Sequence, residues 1–161
     1  EGMTLERQRL AITSLLVSRG IPIIYYGLEQ DLFVPNEPGD PYNRPMMRSF
    51  DRRSELFMRI KKLLALRNAT DAMRYGSTHV LHLTNNIMGF ERIHGNDKVF
   101  IAMSKNQRQG TDDFTMLGLQ LPDGEYRDVL TGRSHTVYGG GKLDVQLAFG
   151  DAIVLSNVRI N

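Results

Sequence analysis

Apolar positions at helical spacing open the chain, and a different rhythm closes it. Behind Thr4, a suitable N-cap with Glu6 in the first turn, Leu5, Ile12, Leu15 and Leu16 share one helical face. The pattern stops at Arg19-Gly20, a cation followed by a C′ glycine, with Pro22 just beyond. This predicts a helix over Thr4–Ser18. The next run, Ile21-Pro22-Ile23-Ile24-Tyr25-Tyr26, is apolar without interruption and reads as a strand buried on both faces. From Gly27 to about Phe50 no period is visible, and Pro35, Pro38, Pro41 and Pro45 break the segment. A structureless connection of about 20 residues inside a compact domain is more often functional than not. Asp51 then reads as the cap of a second helix, with Leu56, Ile60, Leu63 and Leu64 on one face and Arg59, Lys61 and Lys62 on the other, ending near Arg67-Asn68.

Past Asn68 the period changes. Short β-rich runs at Thr78–Leu83, Ile87–Ile93, Lys98–Ser104, Phe114–Leu119, Glu125–Leu130, Lys142–Phe149 and Ala152–Leu155 alternate with turn sequences. Among those turns are His94-Gly95-Asn96-Asp97, Pro122-Asp123-Gly124 and Gly139-Gly140-Gly141. Leu143, Val145 and Leu147 alternating with Asp144 and Gln146 give one apolar and one wet face. The expectation is an antiparallel β-sandwich of Greek-key type after an α/β segment, with 1–70 and 71–161 as the two units. The first unit has a deficit. One strand buried on both faces needs strand neighbours, and parallel neighbours arrive through crossovers of a dozen or more residues. Residues 1–70 therefore read as an incomplete α/β domain, and a beginning at Glu1 fits a fragment or a processed product.

Composition removes several functional classes. The 161 residues carry 20 Lys and Arg against 18 Asp and Glu, a net charge of +2. The cations are dispersed, which argues against a nucleic-acid footprint. Without cysteine there is no disulfide, thiolate catalysis or cysteine metal site. No apolar run approaches the roughly 20 residues that span a bilayer, and no signal-peptide pattern precedes the first helix. His79 and His82, three apart on an expected strand, should point to opposite faces and not chelate together. The methionines read as packing filler, and Gly139–Gly141 as a turn without the helix that would make it a phosphate cradle.

Chemistry concentrates after the apolar strand, where the carboxyl ends of α/β strands present ligand-binding groups. Glu29, Asp31, Glu37, Asp40, Asn43 and Arg44 fall there. Asp40 and Arg44 are a carboxylate and a guanidinium four residues apart, able to pair with each other and with neighbouring hydroxyls. On the residues alone they read more readily as a loop-organising ion pair than as ligand-binding groups. Glu29 reads as a structural partner of a helix N-terminus or an arginine. No Ca²⁺ loop of alternating ligands is present.

GIPIIYYGLEQ at Gly20–Gln30, DPYNR at Asp40–Arg44 and the helix after them resemble the α-amylase family of glycoside hydrolases, the α-amylases and cyclodextrin glucanotransferases above all. The resemblance covers nearly the whole chain. It implies that Thr4–Ser18, Ile21–Tyr26 and Asp51–Arg67 are the seventh helix, eighth strand and eighth helix of a (β/α)8 barrel, with the β-sandwich domain following. It further implies that Asp40 and Arg44 bind a glucose unit on the donor side of the cleaved bond, with Tyr26 at the rim. Retaining catalysis in the family uses two carboxyl groups about 5–5.5 Å apart. Those groups and an Asn-His-Asp motif lie on earlier strands, and no His here is followed by Asp. The segment is thus expected to have no catalytic residue, no metal and no cofactor of its own. Calcium is implied elsewhere in the complete enzyme, as are secretion, an α-glucan substrate and the remaining barrel as partner. A non-catalytic carbohydrate-binding module is the competing expectation. The absence of Trp and the isolation of Tyr126 and Tyr138 count against it.

Overall fold

The computed structural model describes residues 4–32, 45–47, 49–105 and 110–160. Helix α1 runs Leu5–Val17, capped by Thr4, whose hydroxyl accepts the Arg7 N–H at 3.4 Å. It ends at Ser18, whose N–H bonds the Ser14 carbonyl, so Gly20 (φ +111°) lies past the cap. Helix α2 is Glu55–Ala69, and here the sequence reading is corrected. Its cap is Ser54, accepting the Phe57 N–H at 3.2 Å, while Asp51 instead accepts from Arg53. Leu56, Ile60, Leu63 and Leu66 form its buried face, and Leu64 is at the surface. A short helix α3, Asp71–Tyr75, was not expected. Thr70 caps it, and the Asp97 carboxylate accepts both the Thr70 hydroxyl and the Asp71 N–H at 2.9 Å.

The strand expected at Ile21–Tyr26 does not form. The residues alternate between exposed Ile21, Ile23 and Tyr25 and half-buried Pro22 and Ile24, but no ladder partner stands beside them. A buried strand needs neighbours to take its N–H and C=O groups, and the described residues offer none. The helices supply a face for Ile24 alone, which packs on their core.

Eight strands follow: β1 Ser77–Leu83, β2 Ile87–His94, β3 Asp97–Ser104, β4 Asp112–Leu117, β5 Gly124–Arg127, β6 Ser134–Tyr138, β7 Lys142–Leu147 and β8 Ala152–Ser156. Strand β6 was missed because Ser134-His135-Thr136 has no apolar alternation to announce it. The strands make two antiparallel sheets, ordered β1-β2-β3-β8 and β4-β7-β6-β5. Between the sheets lie Phe100, Ala102, Met116, Val137, Leu143 and Leu155. The opposite face of the first sheet, with Phe90, Val99, Ile101 and Val154, packs on Leu16, Leu63 and Leu66 of the helices. The molecule is thus three layers, helices on sheet on sheet. Strand β3 is buried on both faces, which explains its unbroken run Val99–Met103.

Candidate functional site

The candidate site is the segment that leaves α1 and returns to α2. Its start is anchored by two buried arginines. Arg67 of α2 donates to the carbonyls of Leu16 (2.8 Å), Ser18 (3.1 Å) and Gly20 (2.7 Å). Arg92 of β2, with no solvent exposure, donates to Gly76 (2.8 Å) and Val17 (3.5 Å). The last carbonyls of a helix lack intrahelical donors and carry its negative end, so guanidinium groups are favoured there. Burial holds the Arg92 pKa below its ordinary value, and the nearby Arg67 and Arg19 charges add to this. The exit direction of the chain from α1 is set by four of these carbonyls, those of Leu16, Val17, Ser18 and Gly20, and the bond to Gly76 ties the end of α3 to the same place.

The segment then makes a tight corner. Gly27 (φ +83°) precedes a 3₁₀ turn at Leu28–Gln30, and Asp31 (φ +53°) ends it. The N–H groups of Gln30 and Leu32 both reach the Gly27 carbonyl at 3.0 Å. A Cβ on Gly27 would stand 2.4 Å from a Leu32 methyl, so the corner needs glycine on two counts. The returning chain is tied to this corner at three places. The Tyr26 hydroxyl donates to the Pro45 carbonyl at 3.2 Å. The Gln30 amide takes the Asp51 N–H (2.9 Å) and donates to its carbonyl (3.1 Å), as a neighbouring strand would. The Ser54 hydroxyl donates to the Glu29 carbonyl at 2.7 Å while capping α2. Glu29 therefore serves the α2 N-terminus, through its main chain.

Of the expected substrate-binding residues, Tyr26 is at this rim, 43% exposed, with the Tyr25 ring at 4.7 Å. Asp40 and Arg44 lie outside the described residues, as does Glu37. Gln30 and Ser54 were not singled out in the sequence. Ser54 was findable, since a serine directly before Glu55 and the apolar periodicity is a capping signature. Gln30 was not, because its role depends on Asp51 being brought beside it. The surface around the corner is apolar: Ile21 is 93% exposed, Ile23 84% and Phe50 77%.

The histidine geometry is corrected too. Strand β1 bulges between Val80 and His82, so His79 lies opposite Glu91 and His82 opposite Gly89. The extra residue resets the alternation and puts both histidines on one face. His82 stacks on Phe114 at 4.8 Å, and His79 shares a hydrogen bond with the Ser77 hydroxyl at 2.8 Å. Among the described residues no group of three or more His, Asp or Glu could hold a metal ion. The Gly139–Gly141 turn is held by the Asp123 carboxylate, which accepts the Gly140 and Gly141 N–H groups.

Two antiparallel sheets, one of them packed against a layer of helices, define an antiparallel all-β domain. The chain belongs to the family of the alpha amylase C-terminal all-beta domain, whose model matches residues 78–158. The cyclomaltodextrin glucanotransferase of Thermoanaerobacterium thermosulfurigenes is 42% identical over 125 residues, covering 78% of this chain and 17% of that protein. The alpha-amylase of Niallia circulans is 39% identical over 143 residues, covering 85% of the chain and 26% of that protein. A crystal structure of a cyclomaltodextrin glucanotransferase with a three-domain ABC distribution superposes with a TM-score of 0.85 at 34% identity. It covers 98% of this chain and 33% of that one. The chain thus spans between 17% and 26% of the length of these two curated relatives.

Proposed function

We propose that this chain is the C-terminal portion of a retaining enzyme acting on α-1,4-glucans, in which residues 1–70 complete a (β/α)8 barrel and residues 71–161 buttress it. The observation that carries this is the bare apolar corner. Ile21, Ile23, Met46 and Phe50 are side chains that folding places in water unless another body covers them. The unpaired run Ile21–Tyr26 needs strand neighbours of the kind a barrel provides. The names of the relatives, glucanotransferase and amylase, supply the substrate class.

In this reading Asp40 and Arg44 bind one glucose unit on the donor side of the cleaved bond, and Tyr26 lines the rim. The catalytic carboxylates come from the rest of the barrel, calcium binds there too, and the complete protein is secreted. What the described residues do is position. Arg67 and Arg92 aim the chain out of α1. Gly27, Gln30 and Ser54 then hold together the described chain on either side of the sequence that carries Asp40 and Arg44. The order β4-β7-β6-β5, with β4 returning beside β7, supports a Greek-key reading of the second sheet. A three-domain glucanotransferase among the solved neighbours means that domain number does not separate transferase from hydrolase.

The test is made on the complete enzyme with a maltooligosaccharide of defined length. Asp40→Ala and Arg44→Ala should each raise KM or shift the cleavage position, by about tenfold or more for loss of a charged hydrogen bond. An unchanged KM and product pattern in both variants removes the donor-site assignment. Hydrogen exchange tests the barrel reading: amides of Ile21–Tyr26 exchanging as freely as a surface loop would overturn it.

A further inference from the structure

A groove of about 880 Å³ lies between α2, strand β5 and the segment after β8. Its floor is apolar, formed by Ala65, Val129, Val158 and Ile160, all half-buried. Four cations line it: Lys61, Lys62, Arg127 and Arg159. Two carboxylates line it as well, and both are engaged. Asp128 is buried and accepts the N–H groups of Leu130, Thr131 and Val154, and Glu125 accepts the Ser134 hydroxyl at 2.6 Å. Lys62 donates to the Leu130 carbonyl, whereas Lys61, Arg127 and Arg159 form no ion pair among the described residues. Four cations against two carboxylates leave the groove positive, and Lys61, Arg127 and Arg159 are exposed.

One wall adds a second kind of recognition. Among the described residues strand β5 is the edge of its sheet and pairs with β6 alone. In an antiparallel pair, alternate residues of an edge strand turn their N–H and C=O groups away from the partner. Beyond Arg127 the chain folds onto β8, where the Val129 N–H meets the Val154 carbonyl at 2.9 Å. The free edge is thus confined to Gly124–Arg127, and all four residues line the groove. An open edge is a template for another strand, and charged side chains bias which strand it accepts.

We propose that this groove docks an extended acidic peptide segment of a partner protein, which adds a short strand to the free edge of β5. Its carboxylates meet Lys61, Arg127 and Arg159, and its intervening apolar side chains rest on Val129, Val158 and Ile160. The charge of the groove selects against a basic or neutral strand. The inference is independent of the glucan reading, because no groove residue lies on the corner.

The probe is a fluorescein-labelled peptide alternating Glu and Val, with its Lys–Val counterpart as control, titrated by anisotropy against the complete protein. The expected result is saturable binding of the acidic peptide only, weakening with added NaCl, with slowed amide exchange at Gly124–Arg127. The double variant Arg127→Glu/Arg159→Glu should lose about tenfold in affinity, because two attractive contacts become repulsive. Both side chains are exposed, and an unchanged circular dichroism spectrum and melting temperature show that the variant is folded. Binding of both peptides alike, no binding, or unchanged affinity in the double variant would overturn the proposal. So would displacement of the peptide by citrate at the peptide's own concentration, which would make this a small-anion site.

Discussion

Single side chains decide more here than their positions in the sequence suggest. Arg67 and Arg92 lie on a helix and a strand, and both are buried on main-chain carbonyls. Arg67→Met keeps the apolar stem and leaves three carbonyls without their donor. We expect a loss of about 2–4 kcal/mol in chemical denaturation, the range for charged hydrogen bonds removed at a buried site. Tyr138 behaves oppositely, at the surface. Its hydroxyl lies 3.2 Å from both Asp144 oxygens, and partial burial together with that carboxylate raises its pKa above the ordinary value of 10. A folded-state pKa above the unfolded one favours the neutral phenol in the native protein. The resulting stability is fully present below pH 10 and is lost as the pH rises through the folded value. Ultraviolet titration of Asp144→Ala should show one tyrosine moving to a lower midpoint. An unmoved titration curve would mean that Asp144 is not the cause.

At the scale of elements, ends proved harder to read than existence. Both long helices stand where the apolar periodicity placed them, because a buried face fixes its own phase. The α2 cap is Ser54 and not Asp51, a local signal in which serine directly precedes the first helical residue, and its hydroxyl also donates to the distant Glu29 carbonyl. The bulge in β1 was invisible because alternation cannot report an inserted residue that the partner strand absorbs. Helix α3 and Gly76 form the joint between helices and sandwich. A Cβ on Gly76 would stand 2.3 Å from the Ala72 carbonyl oxygen, so this joint admits no side chain. The corner is less tight but strained for any other residue. Gly27→Ala should cost about 1–2 kcal/mol from positive φ alone, with more from the Leu32 contact. The expected readout in the complete enzyme is a lower melting temperature together with a raised KM. A melting temperature within error of the parent's would refute the role given to this glycine.

The whole molecule is organised by one sheet that serves two cores. Ile101 and Val154 face the helices while Phe100 and Leu155, their chain neighbours, face the second sheet. Helices and sandwich should therefore unfold together. Leu63→Ala, at a fully buried site, should remove about 2–5 kcal/mol. It should shift the helical signal at 222 nm and the near-ultraviolet tyrosine signal by the same amount. Two separated transitions in this chain would show that the helical layer is a separate unit. No helix among the described residues is long and apolar enough to cross a membrane, in keeping with the short apolar runs of the sequence.

The sequence alone determined the change of period after Asn68, the two long helices, seven of the eight strands and the family resemblance, which rests on GIPIIYYGLEQ and DPYNR. These are local properties: a 3.6-residue or 2-residue repeat, a turn residue, a motif. Only the tertiary structure decided that Ile21–Tyr26 is no strand here, because a strand exists through its neighbours. It alone brought Gln30 to Asp51, Arg67 to the end of α1, and the cations of three separate elements around one groove. Each of these needs residues far apart in the chain to meet, and no repeat along the chain encodes such a meeting.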